Sequence, residues 1–187
     1  MDKNNLPSEI AVFPLSNAVF FPRTILPLNI FEDRYLQLVS DVFKESRLFG
    51  MIQPKSREGK SPETYQVGCL GKIISFNETS DKRYIISLSG ITRFKITKEI
   101  NSTKLYRRFK VDYNSFTHDL EPFRNEKVNY DKNNLLNKIK IFFRKKDYSF
   151  ELDELMKLNF DQLISTTCMI SPFTVQEKQK LIEAIKI

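Results

Sequence analysis

The run IAVFPLSNAVFFPRTILPLNIFEDRY occupies residues 10–35 and decides how the rest of the chain is read. It is apolar enough to suggest a membrane span, but Pro14, Pro22 and Pro27 break it, with Asn17, Arg23 and Asn29 between them. Proline fixes φ and removes a backbone donor, so the run cannot hold the continuous helix of about 20 residues that a bilayer requires. The prolines cut it instead into extended pieces. Residues 10–15 read as a short strand that Pro14 confines to a sheet edge or a strand end. Ser16-Asn17 turns the chain into the apolar piece 18–21, and Pro22-Arg23 turns it again. Residues 24–30 are extended around Pro27. At residue 31 the period changes. Phe31, Tyr35, Leu38 and Val42 fall at spacings of four, three and four, which stack on one helical face. Glu32 and Asp33 in the first turn and Lys44 in the last suit the helix dipole.

Outward from this run, residues 48–52 predict a short strand and 54–63 an exposed polar loop. Residues 65–76 are β-rich, with Gly68 and Gly71 as bend or bulge sites. A polar link joins them in a hairpin to 83–89, and Ser89-Gly90 marks a turn. Strands follow over 91–100 and over 105–116, the latter carrying Tyr106, Phe109, Val111 and Tyr113. Then the character changes. A charged connector over 118–129 contains Pro122. A helical stripe over 130–146 runs through Leu135, Leu136, Ile139, Phe142 and Phe143. A second, over 150–164, carries Leu152, Leu155, Met156 and Leu163. Ser171-Pro172 reads as an N-cap followed by proline at the first helical position. The helix it opens holds Val175, Lys178, Leu181, Ile182 and Ile185. The expected class is therefore α+β, with a β part over 1–117 and a helical part over 118–187.

Composition sets the outer bounds. The 187 residues are 41% hydrophobic and 28% charged, with 16 Phe and no Trp, which fits one soluble domain with an aromatic core. A net charge of +7 suits acidic partners, although the lysines are spread along the chain as in a general compositional bias. Cys69 and Cys168 have no Cys or His close to them in sequence and read as buried free thiols. His118 is the single histidine, so neither a zinc site nor a Ser-His-Asp arrangement can be assembled. No paired general acid and base is legible, and no phosphate-cradling Gly-x-x-x-x-Gly-Lys-[Ser/Thr] occurs. The expectation is a cytoplasmic protein without cofactor, metal or membrane segment, and not an enzyme.

The motifs together resemble a known family. Phe13-Pro14-Leu15, Val19-Phe20-Phe21-Pro22 and Leu26-Pro27-Leu28 resemble the opening of the Lon protease N-terminal domain. Ile30-Phe31-Glu32-Asp33-Arg34-Tyr35 is similar to the run favoured by its free-standing branch. Val67-Gly68 with Ile73, Gly90-Ile91-Thr92-Arg93-Phe94, Tyr106-Arg107-Arg108 and residues 177–183 look like its later strands and last helix. The resemblance implies a PUA-like β-barrel or pseudo-barrel with one inserted helix, followed by a C-terminal helical bundle. It also implies a substrate-recognition module that lacks ATPase and peptidase parts. Its partners would be unfolded or exposed hydrophobic protein segments, or a protease or chaperone.

Candidate binding residues follow. Phe20, Phe21 and Phe31 are either core or an exposed aromatic groove. Glu32, Arg34 and Arg93, with Tyr35 beside them, form either an ion-pair network pinning the helix or a cleft for a ligand carboxylate or a peptide backbone. An RNA-binding alternative rests on Lys104, Arg107, Arg108 and Lys110 in one strand, interleaved with Tyr106 and Phe109 that could stack on bases. Lys138, Lys140, Arg144, Lys145 and Lys146 on one helix would extend that surface. Strand alternation counts against it, since one side of the strand is buried.

Overall fold

The structure, a computed structural model, describes residues 5–56, 62–121, 131–148 and 155–184. Strand β1 spans Glu9–Pro14, β2 Ile25–Ile30, β3 Leu48–Ile52, β4 Val67–Glu78, β5 Tyr84–Ile100 and β6 Arg107–Asp112. Helix α1 spans Asp33–Phe43, between β2 and β3. A 3-10 segment, Asn114–Leu120, follows β6. Helices α2 (Lys132–Lys145), α3 (Phe160–Ile170) and α4 (Val175–Glu183) follow among the described residues.

The strands form one mixed sheet in the order β2-β5-β4-β3-β1-β6, and β5 also pairs with β6. The ladder β5-β4-β3-β1-β6 therefore returns to β5, and β2 is added outside this ring. Among the described strands β1 and β3 run parallel and the other pairs antiparallel. Burial on both faces explains the unbroken apolar runs of β1 and β3. Ile10, Val12, Leu48, Ile52, Leu70, Phe94, Phe109 and Val111 make one core cluster. The alternate residues Ala11, Phe13, Phe49, Met51, Cys69, Ile86 and Leu88 belong to a second, larger one. That cluster also holds Tyr35, Leu38, Val39 and Val42 of α1, together with Cys168 of α3 and Ile182 of α4. Gly50 and Gly68 are needed where they stand. A Cβ on either would lie 2.7 Å from the Phe94 ring, far inside contact distance.

Several expectations need correction. Ser89-Gly90 is not a turn. β5 continues through it, and Ile91 is the extra residue of a β-bulge between the pairs Leu70–Thr92 and Gly71–Gly90. Bulges bend and twist a strand, which a glycine permits here, since a Cβ at position 90 would strike the Phe21 carbonyl at 2.1 Å. The strand expected over 105–116 stops at Asp112 and gives way to the 3-10 segment. The helix expected over 150–164 lies partly outside the described residues; within them, Asn159 caps a helix that runs on to Ile170. Ser171 is the C-cap of that helix, not the N-cap of the next. Thr174 caps α4 in a full capping box with Glu177, a signal three residues after Ser171. Phe31, read as helix face or core, is 63% exposed. Ile30 is the last inward residue of β2, so period 2 turns Phe31 outward before α1 begins.

Candidate functional site

The sheet and the helices meet along a groove beside β2. Its cavity, about 260 Å³, is lined by Asn17, Ala18, Val19, Thr24, Ile25, Leu26, Pro27, Thr166, Met169 and Ile170. None of these carries a charge, in a chain where 28% of residues do. Pro27, inside β2, stands in one wall, and the turn that delivers this strand is tied together by Thr24, which donates to the Phe21 carbonyl at 2.6 Å. The C-terminal half of α3 supplies the other wall. Met169 there is an unbranched, adaptable side chain. Ile25, at the mouth, is 60% exposed. The volume is below the usual range of about 300–1,000 Å³ for small-molecule pockets, and it suits one or two side chains of a larger partner.

Three polar anchors behind the groove hold α4 and the 3-10 segment on the sheet. Arg93 is buried and grips Asp119 with two of its three nitrogens, Nε to Oδ2 at 2.9 Å and Nη2 to Oδ1 at 2.8 Å. Its backbone N–H also donates to Asp119 Oδ2 at 2.8 Å. Its remaining arm donates to the carbonyls of Ile182 and Ala184 at the end of α4, and its guanidinium lies 4.5 Å over the Phe116 ring. Gln53 donates to Gln179, which in turn donates to the Val67 carbonyl at 3.2 Å and to Glu183. Lys178 is buried and donates to the carbonyls of Asn17 at 3.0 Å and Met169 at 3.1 Å, both groove residues. Desolvation holds its ammonium below the usual lysine range. Burial pushes the neighbouring Cys168 thiol up to about 11 and Cys69 well above its ordinary value, so both sulfurs are protonated and inert.

The candidate residues are thus distributed differently from a single cleft. Phe20 and Phe21 are core, and Tyr35 stacks on Phe13 with ring centroids 3.9 Å apart. Glu32 and Arg34 pair with each other at 2.7 Å on the surface. Arg93 sits nine residues beyond Tyr84, the partner of Ile30, and takes Asp119 as its carboxylate. No contact described joins it to Glu32 or Arg34. Asp119, Lys178, Gln53 and Gln179 are not among the binding residues that the sequence suggests. A lysine inside the apolar stripe of the last helix was the one visible signal.

The basic strand is largely neutralised. Arg107 is bidentate to Glu99 at 2.7 and 2.8 Å. Lys104 pairs with Asp41 at 2.9 Å, while Arg108 and Lys110 approach Glu9 at 4.0 and 3.7 Å. Phe109 is buried and Tyr106 turns its hydroxyl to Asp41, so neither ring is presented to a base. Lys138, Lys140, Arg144, Lys145 and Lys146 are exposed on and just after α2. The hydrogen bond from Lys104 holds the Asp41 carboxyl below the usual aspartate range. The unfolded chain therefore takes up this proton first. Stability from the pair is complete above about pH 4 and is lost as pH falls through the folded value. Asp41→Asn should flatten the fall in urea midpoint between about pH 4 and pH 2 relative to the parent. An unchanged slope would assign acid sensitivity to other carboxylates.

Among the described residues no helix is long and apolar enough to cross a membrane, and no group of three or more His, Cys, Asp or Glu is placed to hold a metal. Comparison with known proteins places the fold. The family model of the ATP-dependent protease La (LON) substrate-binding domain matches residues 9–187. The Lon protease of Desulfosudis oleivorans is 33% identical over 107 residues, 55% of this chain and 13% of that protein. Lon protease 2 of Myxococcus xanthus is 24% identical over 115 residues, 60% of this chain and 14% of its own length. Among solved structures, a Lon N-terminal domain protein from Xanthomonas campestris superposes with a TM-score of 0.63 at 20% identity, covering 95% of this chain and 91% of that one. The N-terminal domain of Mycobacterium avium complex Lon protease gives 0.61 at 13% identity, with the same coverage. At these identities the solved structures speak for the fold alone, and the chain spans only about an eighth of the length of the proteases it matches. With the same fold and a match that begins in β1 and runs through α4, the chain belongs to the ATP-dependent protease La (Lon) substrate-binding domain family.

Proposed function

We propose that this chain recognises exposed apolar segments of other proteins in the cytoplasm and does no chemistry on them, serving a protease or chaperone as an adaptor. The carrying observation is the open groove beside β2, whose ten lining residues include no charge. Such a surface favours exposed apolar side chains over a folded, charge-covered protein surface. Family membership supports the same reading. In this reading the closed sheet over 1–117 is a PUA-like barrel, and the helical part over 118–187 supplies the opposite wall of the site. Fluorescence anisotropy with a labelled, reduced and carboxymethylated lactalbumin should show saturable binding, with the native disulfide-bonded form as the negative partner. Equal affinity for both forms, or none for either, rules the proposal out.

A further inference from the structure

Strand β2 is the outer strand of the sheet: among the described residues it pairs with β5 on one side and with no strand on the other. The phase of that ladder tells which of its backbone groups are free. Gly90 donates to the Thr24 carbonyl at 2.9 Å and accepts from the Arg23 N–H at 2.9 Å, so Arg23 (φ 63°) and Thr24 together oppose Gly90 in a bulge, and Gly90 aims both its N–H and its C=O at the β2 side. Antiparallel pairs alternate between bonded and non-bonded positions. Leu26, Leu28 and Ile30, opposite Leu88, Ile86 and Tyr84, then aim their N–H and C=O groups at β5. Ile25, Pro27 and Asn29 aim theirs outward, and their side chains are exposed. Pro27 fits only this phase without loss, since it has no N–H to give to β5.

We infer that the apolar segment is held by strand addition: it lies extended along the free edge of β2, in the groove facing α3, as a further antiparallel strand. This rests on the function proposed above and specifies how that site reads its partner. The free edge offers N–H and C=O at Ile25 and at Asn29, and a carbonyl alone at Pro27. A segment there exchanges both bonds with each outer residue and donates one to Pro27. Every second side chain of the added strand falls on the core side of the sheet, into the cavity lined by Ala18, Val19, Leu26, Met169 and Ile170. The others lie on the solvent side beside Ile25, next to the stretch of β5 that reads Ile85, Ser87 and Ser89 outward. No charged side chain belongs to β2, to residues 84–91 of β5 or to the cavity lining, so the segment selected is itself uncharged. Main-chain bonds supply affinity independent of exact sequence, which is the property a recogniser of many unfolded chains needs. The proline keeps the edge from pairing too well, as edge strands of soluble proteins commonly do.

The test uses the whole chain and a short, capped, fluorescein-labelled peptide alternating threonine and valine. Two N-methylated forms of the peptide, blocked on alternate sets of amides, separate strand addition from side-chain docking. One form should bind as the parent does and the other at least tenfold more weakly. Pro27→Val adds an outward N–H and should tighten binding about fivefold, the equivalent of one net hydrogen bond of about 1 kcal/mol. Ile25→Glu, at an exposed position that leaves the fold alone, should weaken it about tenfold or more. If the unfolded lactalbumin binds but both methylated peptides bind alike and Pro27→Val changes nothing, strand addition is overturned while substrate recognition stands. If neither lactalbumin nor peptide binds, both readings fall. If Pro27→Val instead raises the sedimentation mass to that of a dimer without affecting peptide affinity, the edge serves a second copy of the chain and the inference is again overturned.

Discussion

Arg93→Ala is expected to cost about 3–5 kcal/mol of folding stability, the magnitude seen when one partner of a buried ion pair is removed. The side chains of Arg93 and Asp119 are only 3% and 9% exposed. Taking the guanidinium away leaves a buried carboxylate with its charge uncompensated. It also strips donors from the Ile182 and Ala184 carbonyls at the end of α4. Urea unfolding of the parent and the variant measures the loss. Arg93→Lys should recover less than half of it, because an ammonium cannot reproduce the two parallel bonds to Asp119. Arg93→Met combined with Asp119→Leu should be milder than either single change, since no charge is then stranded. The exposed Glu32–Arg34 pair supplies the contrast: Arg34→Ala should cost less than about 1 kcal/mol. Equal costs for the two arginines would show that the buried pair is as well solvated as the surface one.

Phe94→Ala is expected to be as damaging, about 3–5 kcal/mol, for a different reason. The Phe94 ring is fully buried within its core cluster and rests directly on Gly50 and Gly68. Truncation removes its transfer energy and leaves a void that strands held on both sides cannot collapse into. Gly50→Ala alone should cost about 1–3 kcal/mol, because its new methyl would meet Phe94 at 2.7 Å and Ile10 at 2.8 Å. Phe94→Leu with Gly50→Ala should then cost less than the sum of the two separate changes, as the methyl enters space the ring has vacated. Gly68→Ala cannot be rescued in this way: its Cβ would also strike the Met51 carbonyl at 2.3 Å. Strict additivity for the Gly50 pair would show that the sheet shifts rather than repacks.

The strands and helices were legible where local pattern and tertiary demand agree. The apolar runs of β1 and β3, the three-four spacing of Tyr35, Leu38 and Val42 in α1 and the stripe of α2 found their places, while Phe31, the first residue of the spacing expected for α1, did not. Legibility failed where a long-range contact overrides a local signal. Ser89-Gly90 is turn chemistry by composition, yet Gly90 is small because the Phe21 carbonyl passes over it, and the strand continues. Ser171-Pro172 imitates a cap, but the preceding helix takes that serine and Thr174-x-x-Glu177 does the capping. At the site, arginine 93 was visible as a motif residue while its carboxylate was not. Asp119 lies 26 residues away in a polar connector, and no periodicity links such positions. The groove was legible only as prolines, since its second wall comes from a helix more than 130 residues further on.

The ring of strands has a consequence for how the chain is made. β1 is closed in by β3 and β6, with Glu9 opposite Lys110. At synthesis rates of about 5–20 residues per second, its last neighbour emerges roughly 5–20 s after β1 itself. Through that interval the strand is apolar on both faces and has an unpaired edge, and loop closure over so many residues is slow. A domain proposed to hold the exposed segments of other proteins thus passes through a stage in its own biogenesis when it displays one, and β6 is the element that ends it.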